Sequence, residues 1–164
     1  MSSPVELPSD GTSPSSSWAG FLEEAAKEVF SLMVGMELSP LAPADAPETH
    51  EVTAMIGMAG ELCGVFGVCC SKPTAITIAS HMLGLSDDEA VAHSSDAIGE
   101  VCNMVAGSFK SKLKNGLEDK CMLSVPTVIT GDDYALHSLV VSNRLELAMQ
   151  LEGNPVKFTL ELRS

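Results

Sequence analysis

The chain has 164 residues, 45% of them apolar and 19% charged, and carries a formal net charge of −13 at pH 7. This composition is globular, and the length suits one domain whose core needs neither disulfides nor metals. The acidity argues against nucleic acid and against an anionic membrane surface, since both demand clustered Lys and Arg.

Residues 1–16 are rich in Ser and Pro and read as a disordered tail ahead of a single domain over residues 17–164. They have neither the basic start nor the apolar core of a secretion signal, and no run of about 18 apolar residues predicts a membrane span. From Trp18 the pattern turns helical, with Phe21, Leu22, Ala25, Val29, Leu32 and Met33 on one stripe and a stop near Gly35. Residues 39–47 form a Pro-rich connection. Two strand-like runs, 52–59 and 62–70, flank a hairpin turn at Gly60-Glu61. Lys72-Pro73 opens a helix that Gly84 closes. Ser86 to Glu89 has the spacing of a capping box, and the main helix that follows continues with short breaks to about Asn115-Gly116.

Further strands are predicted over 122–130, 135–141, 145–151 and 156–163, with a turn at Gly131-Asp132-Asp133. The last alternates, Val156, Phe158, Leu160 and Leu162 facing one way. Helices and strands fall in blocks, which predicts an α+β fold with helices packed on a largely antiparallel sheet. The five cysteines (Cys63, Cys69, Cys70, Cys102 and Cys121) are odd in number and form no CxxC pair. They read as buried, reduced thiols of a cytoplasmic protein, Cys69 and Cys70 pointing to opposite faces of a strand.

Two segments echo one another. Glu28-Val-Phe-Ser-Leu-Met-Val-Gly35 aligns with Glu100-Val-Cys-Asn-Met-Val-Ala-Gly107, and Met58-Ala-Gly60 falls near Ile129-Thr-Gly131 at the same offset. The echo suggests pseudo-twofold halves; the alternative is a chance likeness between amphipathic helices. Ser31 stands in the first copy where Asn103 stands in the second.

On a helical wheel, Ile98, Val101, Cys102, Val105, Phe109 and Leu113 share one side, and Asp96, Glu100, Asn103, Gly107, Ser111 and Lys114 share the other. Glu100 and Asn103 are neighbours across one turn. Gly107 costs a helix about 1 kcal/mol relative to Ala, a cost explained if another backbone approaches there; the plainer reading is a solvated polar face. Lys110, Lys112, Lys114 and Lys120 cluster near the end of this helix, where they stabilise its C-terminus and would steer an acidic partner.

The run Asp96-Ala-Ile-Gly-Glu100-Val-Cys-Asn103-Met-Val-Ala-Gly107 resembles the ExxN signature helix of the CheX/CheC/FliY chemotaxis phosphatases. Glu24–Phe30, Met58–Gly64, Ala75–Gly84 and Pro126–Gly131 resemble the family's first helix, first hairpin, second helix and a later strand and turn. With one intact ExxN copy the pattern is closest to CheX, and the resemblance implies the CheC-like fold and a homodimer. It implies a phosphatase acting on the aspartyl phosphate of a CheY-like response regulator, with Glu100 docking the regulator and Asn103 orienting the attacking water. Asp96, Gly107, Lys110, Ser111 and Lys114 would form the surrounding partner-binding surface. The enzyme would need no cofactor of its own, the Mg²⁺ being held by the regulator. An acyl phosphate is already activated, so positioning can replace a strong base, and an Asn amide can donate and accept without titrating.

Two other readings remain. A module of the same fold could bind a response regulator or a flagellar switch component without hydrolysis. A small-molecule sensor would use a pocket between the halves, though no Gly-rich phosphate loop supports it. His50, His81, His93 and His137 match no metal-ligand spacing.

Overall fold

The computed structural model describes residues 14–113, 116–137 and 142–163. Most of the Ser/Pro-rich segment lies outside the described residues, and Pro14 already opens the first helix, α1 (Pro14–Val29). A π-helical turn, Phe30–Val34, continues it and ends at Gly35, whose φ of 75° is the left-handed conformation that closes helices. A π turn holds more residues than an α turn, so the apolar stripe slips. Phe30 and Val34 turn inward, while Leu32 and Met33, expected on the core side, are 80% and 54% exposed.

The strands are β1 (Leu38–Pro40), β2 (His50–Gly60), β3 (Gly64–Cys70), β4 (Cys121–Leu123), β5 (Thr127–Tyr134), β6 (Ser142–Leu151) and β7 (Asn154–Arg163). They form one antiparallel sheet in the order β1-β6-β7-β3-β2, with β4 and β5 both pairing the far side of β2. The pseudo-twofold is visible in this order. Hairpin β2–β3 meets hairpin β6–β7 through the central β3–β7 ladder, and β1 flanks β6 as β5 flanks β2.

The helical echo therefore corresponds to related halves, but the strand echo does not. The counterpart of Met58–Gly60 is the end of β6 near Leu151, whereas Ile129–Gly131 lies in β5. The longer connection after the second helix breaks the constant offset.

Several other boundaries differ from expectation. β1 sits at the start of the Pro-rich connection, where Pro40 is tolerated on an edge strand. The predicted 122–130 strand is two strands separated at Ser124–Pro126, as Pro126 requires of a paired strand. Gly131–Asp133 is not a turn but lies in β5, where the register against β2 shifts and Asp133 adopts a φ of 45°. Residues 135–137 are not strand, and 138–141 lie outside the described residues. Cys63 is exposed because it falls in the turn between β2 and β3; the other four cysteines are buried. Burial pushes the Cys70 and Cys102 thiols up to about 12.

Helices α1, α2 (Lys72–Leu83) and α4 (Ser94–Ser111) pack on one face of the sheet. The core lies between them. Val52, Ala54, Ile56 and Met58 of β2, Phe66 and Val68 of β3, and Val156, Phe158 and Leu160 of β7 meet Leu22, Phe30, Ile78, Ile98, Val105 and Phe109. Phe30 meets Phe158 edge-on at 6.1 Å between ring centroids, and Trp18 meets Phe109 at 5.9 Å.

Candidate functional site

The signature helix is held from its start. Ser86 and Glu89 form the expected capping box at the head of α3 (Asp87–Ala90): the Glu89 N–H donates to Ser86 Oγ at 3.3 Å and the Ser86 N–H donates to Glu89 Oε2 at 3.0 Å. The Ser86 N–H, joined by the Ser86 hydroxyl donating to the same oxygen at 3.0 Å, holds the Glu89 carboxyl below its usual range. A 3-10 turn, Val91–His93, then leads into α4. Ile98, Val101, Cys102, Val105, Phe109 and Leu113 are all buried, as the wheel expects. With its whole apolar face locked into the core, α4 is a rigid platform for whatever its other face presents.

Asp96, Glu100, Asn103 and Ser111 are exposed on that other face, and Gly107 and Lys110 are partly exposed among them. Lys114 lies outside the described residues. Among the described residues, the side chains of Asp96, Glu100 and Asn103 make no hydrogen bond or ion pair. Ser111 donates back to the Ser108 carbonyl at 2.7 Å. Outside its chain neighbours and its own helix backbone, no heavy atom among the described residues comes within 4 Å of where a Cβ on Gly107 would sit, so no packing there requires a glycine.

The first copy of the motif is arranged differently. Glu28 accepts hydrogen bonds from Ser108 Oγ at 3.2 Å and Lys112 Nζ at 3.0 Å, with Glu24 3.7 Å from the same ammonium. The Lys112 bond holds the Glu28 carboxyl below its usual range. Ser31 falls in the π turn, so it is not related to Glu28 as Asn103 is to Glu100. The first copy thus staples α1 to α4 and leaves the second copy free. The lysine cluster is correspondingly reduced: Lys112 is committed to Glu28 and Lys120 to Glu61 at 3.0 Å, while Lys110 has no ion pair among the described residues.

Sequence reasoning missed the opposite flank of the platform. The Ser124 N–H donates to the Gly57 carbonyl at 2.9 Å, and Ser124 Oγ accepts from the Gly57 N–H at 2.8 Å and donates to the Val125 carbonyl at 3.0 Å. This clamp seats Pro126 and Val128 against Gly99 of α4, where a Cβ would lie 3.7 Å from Pro126 Cγ and 3.2 Å from Val128 Cγ2. The Pro within an apolar run was the available signal.

Among the described residues, no three His, Cys, Asp or Glu side chains gather where they could hold a metal ion, and no helix is long and apolar enough to cross a membrane. His137 is exposed and outside the strands, not the core or edge-strand histidine its apolar neighbours suggest.

Comparison with known proteins places this architecture. The CheY-P phosphatase CheX of Thermotoga maritima is 30% identical over 101 residues, which cover 61% of this chain and 64% of that protein, so the chain matches somewhat less than two thirds of its relative's length. The crystal structure of the chemotaxis protein CheX from Vibrio vulnificus superposes with a TM-score of 0.76 at 20% identity, covering 93% of this chain and all of that one. A CheX-CheY-BeF3-Mg²⁺ complex from Borrelia burgdorferi contains a chain matched with a TM-score of 0.70 at 21% identity, covering 90% of this chain and 98% of that one. At such identities these structures speak for the fold. The family model "Chemotaxis phosphatase CheX" matches residues 52–150, a span that contains α4 with Glu100 and Asn103. On that match and the shared fold, the chain belongs to the chemotaxis phosphatase CheX family.

Proposed function

We propose that this protein hydrolyses the aspartyl phosphate of a CheY-like response regulator, working through the exposed face of α4. Glu100 docks the helix by pairing with a cation beside the regulator's phosphoryl group. Asn103 enters the site and orients a water in line with the scissile bond. The water oxygen forms a bond to phosphorus as the bond from phosphorus to the aspartate oxygen breaks, giving inorganic phosphate and a free carboxylate; a water proton leaves with the products. The regulator's own Mg²⁺ neutralises the phosphoryl charge.

The observation that carries this reading is the contrast between the two copies of the motif. In α4 the acid and the amide stand one turn apart on a rigid helix, exposed and unpartnered among the described residues. In α1 the equivalent acid is consumed by Lys112 and the amide is replaced. A free carboxylate and carboxamide with no intramolecular partner are suited to intermolecular work. Asp96, Gly107, Lys110 and Ser111 would form the surrounding contact surface, with Lys114 beyond the described residues. The homodimer expected from the resemblance, and a cytoplasmic site of action beside soluble regulators, belong to the same proposal.

The test is phosphate release from phosphorylated CheY-like regulators, with wild type and Asn103→Ala side by side. Acceleration by wild type and a loss of 10²-fold or more in the variant, about the scale for a positioning group, supports the assignment. Equal activity in both proteins removes Asn103 from the mechanism. Binding without acceleration supports the non-catalytic docking module instead.

A further inference from the structure

We propose that Val125, on the loop between β4 and β5, is an apolar contact for the receiver domain of the response regulator and sets affinity for it. This rests on the reading above that α4 is the docking helix. Isolated exposed apolar side chains are common and mean little by themselves; what singles out Val125 is its placement and the way it is held.

Placement follows from Gly99. On α4, Gly99 lies about 40° around the helix from Asn103 and about 100° from Glu100, so it borders the exposed strip. Pro126 borders the space beside Gly99, its Cγ 3.7 Å from where a Cβ would sit, and Val125 is its chain neighbour. The loop is therefore a wall along the Asn103 side of the strip, as α1, stapled through Glu28 to Ser108 and Lys112, is a wall along the other. Val125 stands on the first wall at 83% exposure.

Three independent restraints fix this valine. Ser124 is bonded to both backbone groups of Gly57, and its hydroxyl donates to the Val125 carbonyl. The following Pro126 confines Val125 to extended backbone. Val128 crowds the position a Cβ on Gly99 would take, at 3.2 Å, and Pro126 borders it at 3.7 Å, so the segment rests against α4. A valine displayed by a preorganised loop gives up little conformational entropy on binding, so most of its burial would appear as affinity. Charged residues give the strip its direction, whereas an apolar contact at its edge excludes water from the phosphoryl site beside Asn103.

Initial rates of dephosphorylation against regulator concentration, for wild type, Val125→Ser and Met122→Ser, test this. Met122 is also exposed, at 68%, but pairs with Ala59 on a neighbouring strand position and lies on the sheet face away from the helices. Expected is a rise in KM of about tenfold for Val125→Ser, with kcat near wild type, an unchanged melting temperature, and no effect of Met122→Ser. An unchanged KM, or the same rise in both variants, overturns the proposal. If wild type releases no phosphate, the phosphatase reading fails, and binding to a beryllofluoride-treated regulator decides the loop's role. Weaker binding by Val125→Ser alone supports it; equal binding, or no binding by wild type, overturns it.

Discussion

Replacing Gly107 with Ala should make the protein more stable and a worse enzyme. Gly107 is interior to α4, four residues from its end, and a Cβ there would meet nothing within 4 Å beyond its own helix and chain neighbours. Ala therefore gains the full helix-propensity difference, about 0.5–1 kcal/mol, largely by reducing the conformational entropy of the unfolded chain. For a chain of this size, about 1 kcal/mol raises the melting temperature by about 2–4 °C, which circular dichroism at 222 nm measures directly. The same methyl group would stand on the exposed strip proposed to dock the regulator, two turns or less from Glu100 and Asn103. If the regulator's backbone approaches that bare Cα, the methyl holds it off, and KM for phosphorylated regulator should rise several-fold. A fall in stability would show that the glycine serves the fold. Higher stability with unchanged kinetics would show that the position is merely tolerant and would refute the close-approach argument.

Glu28→Gln should loosen the α1–α4 staple in a pH-dependent way. Because Lys112 holds the Glu28 carboxyl below the ordinary glutamate range, its stabilisation is present above that range and is lost as the pH falls through the folded-state pKa. Melting temperatures of wild type and variant should differ at pH 7 and converge as the pH falls below the ordinary glutamate range; a constant difference down to acid pH contradicts the ion-pair account. High salt should narrow the gap at pH 7, since the pair is partly solvated. Thiol labelling of the folded protein with a chromogenic disulfide should modify Cys63 promptly, with Cys70 and Cys102 reacting only on unfolding, because their burial disfavours the thiolate. Fast reaction of more than one of these three would contradict the buried placement of β3 and α4.

The amino-acid sequence by itself determined the elements whose signals are local. The 3.6-residue period placed both faces of α4, the alternation over 156–163 placed the inward side of β7, and Ser86 and Glu89 marked a helix start by their spacing. The Glu100–Asn103 pair was legible for the same reason: one turn of helix is a local fact. Tertiary structure decided what depends on long-range pairing. The π turn moved Leu32 and Met33 outward because the inward positions went to Phe30 and Val34. Glu28 proved to be a structural acid only because Lys112, distant in sequence, meets it. The Ser124–Pro126 wall exists because Gly57 on β2 and Gly99 on α4 accept it from either side. Helical periodicity carries no information about such partners; they come from the closing of one strand or helix against another.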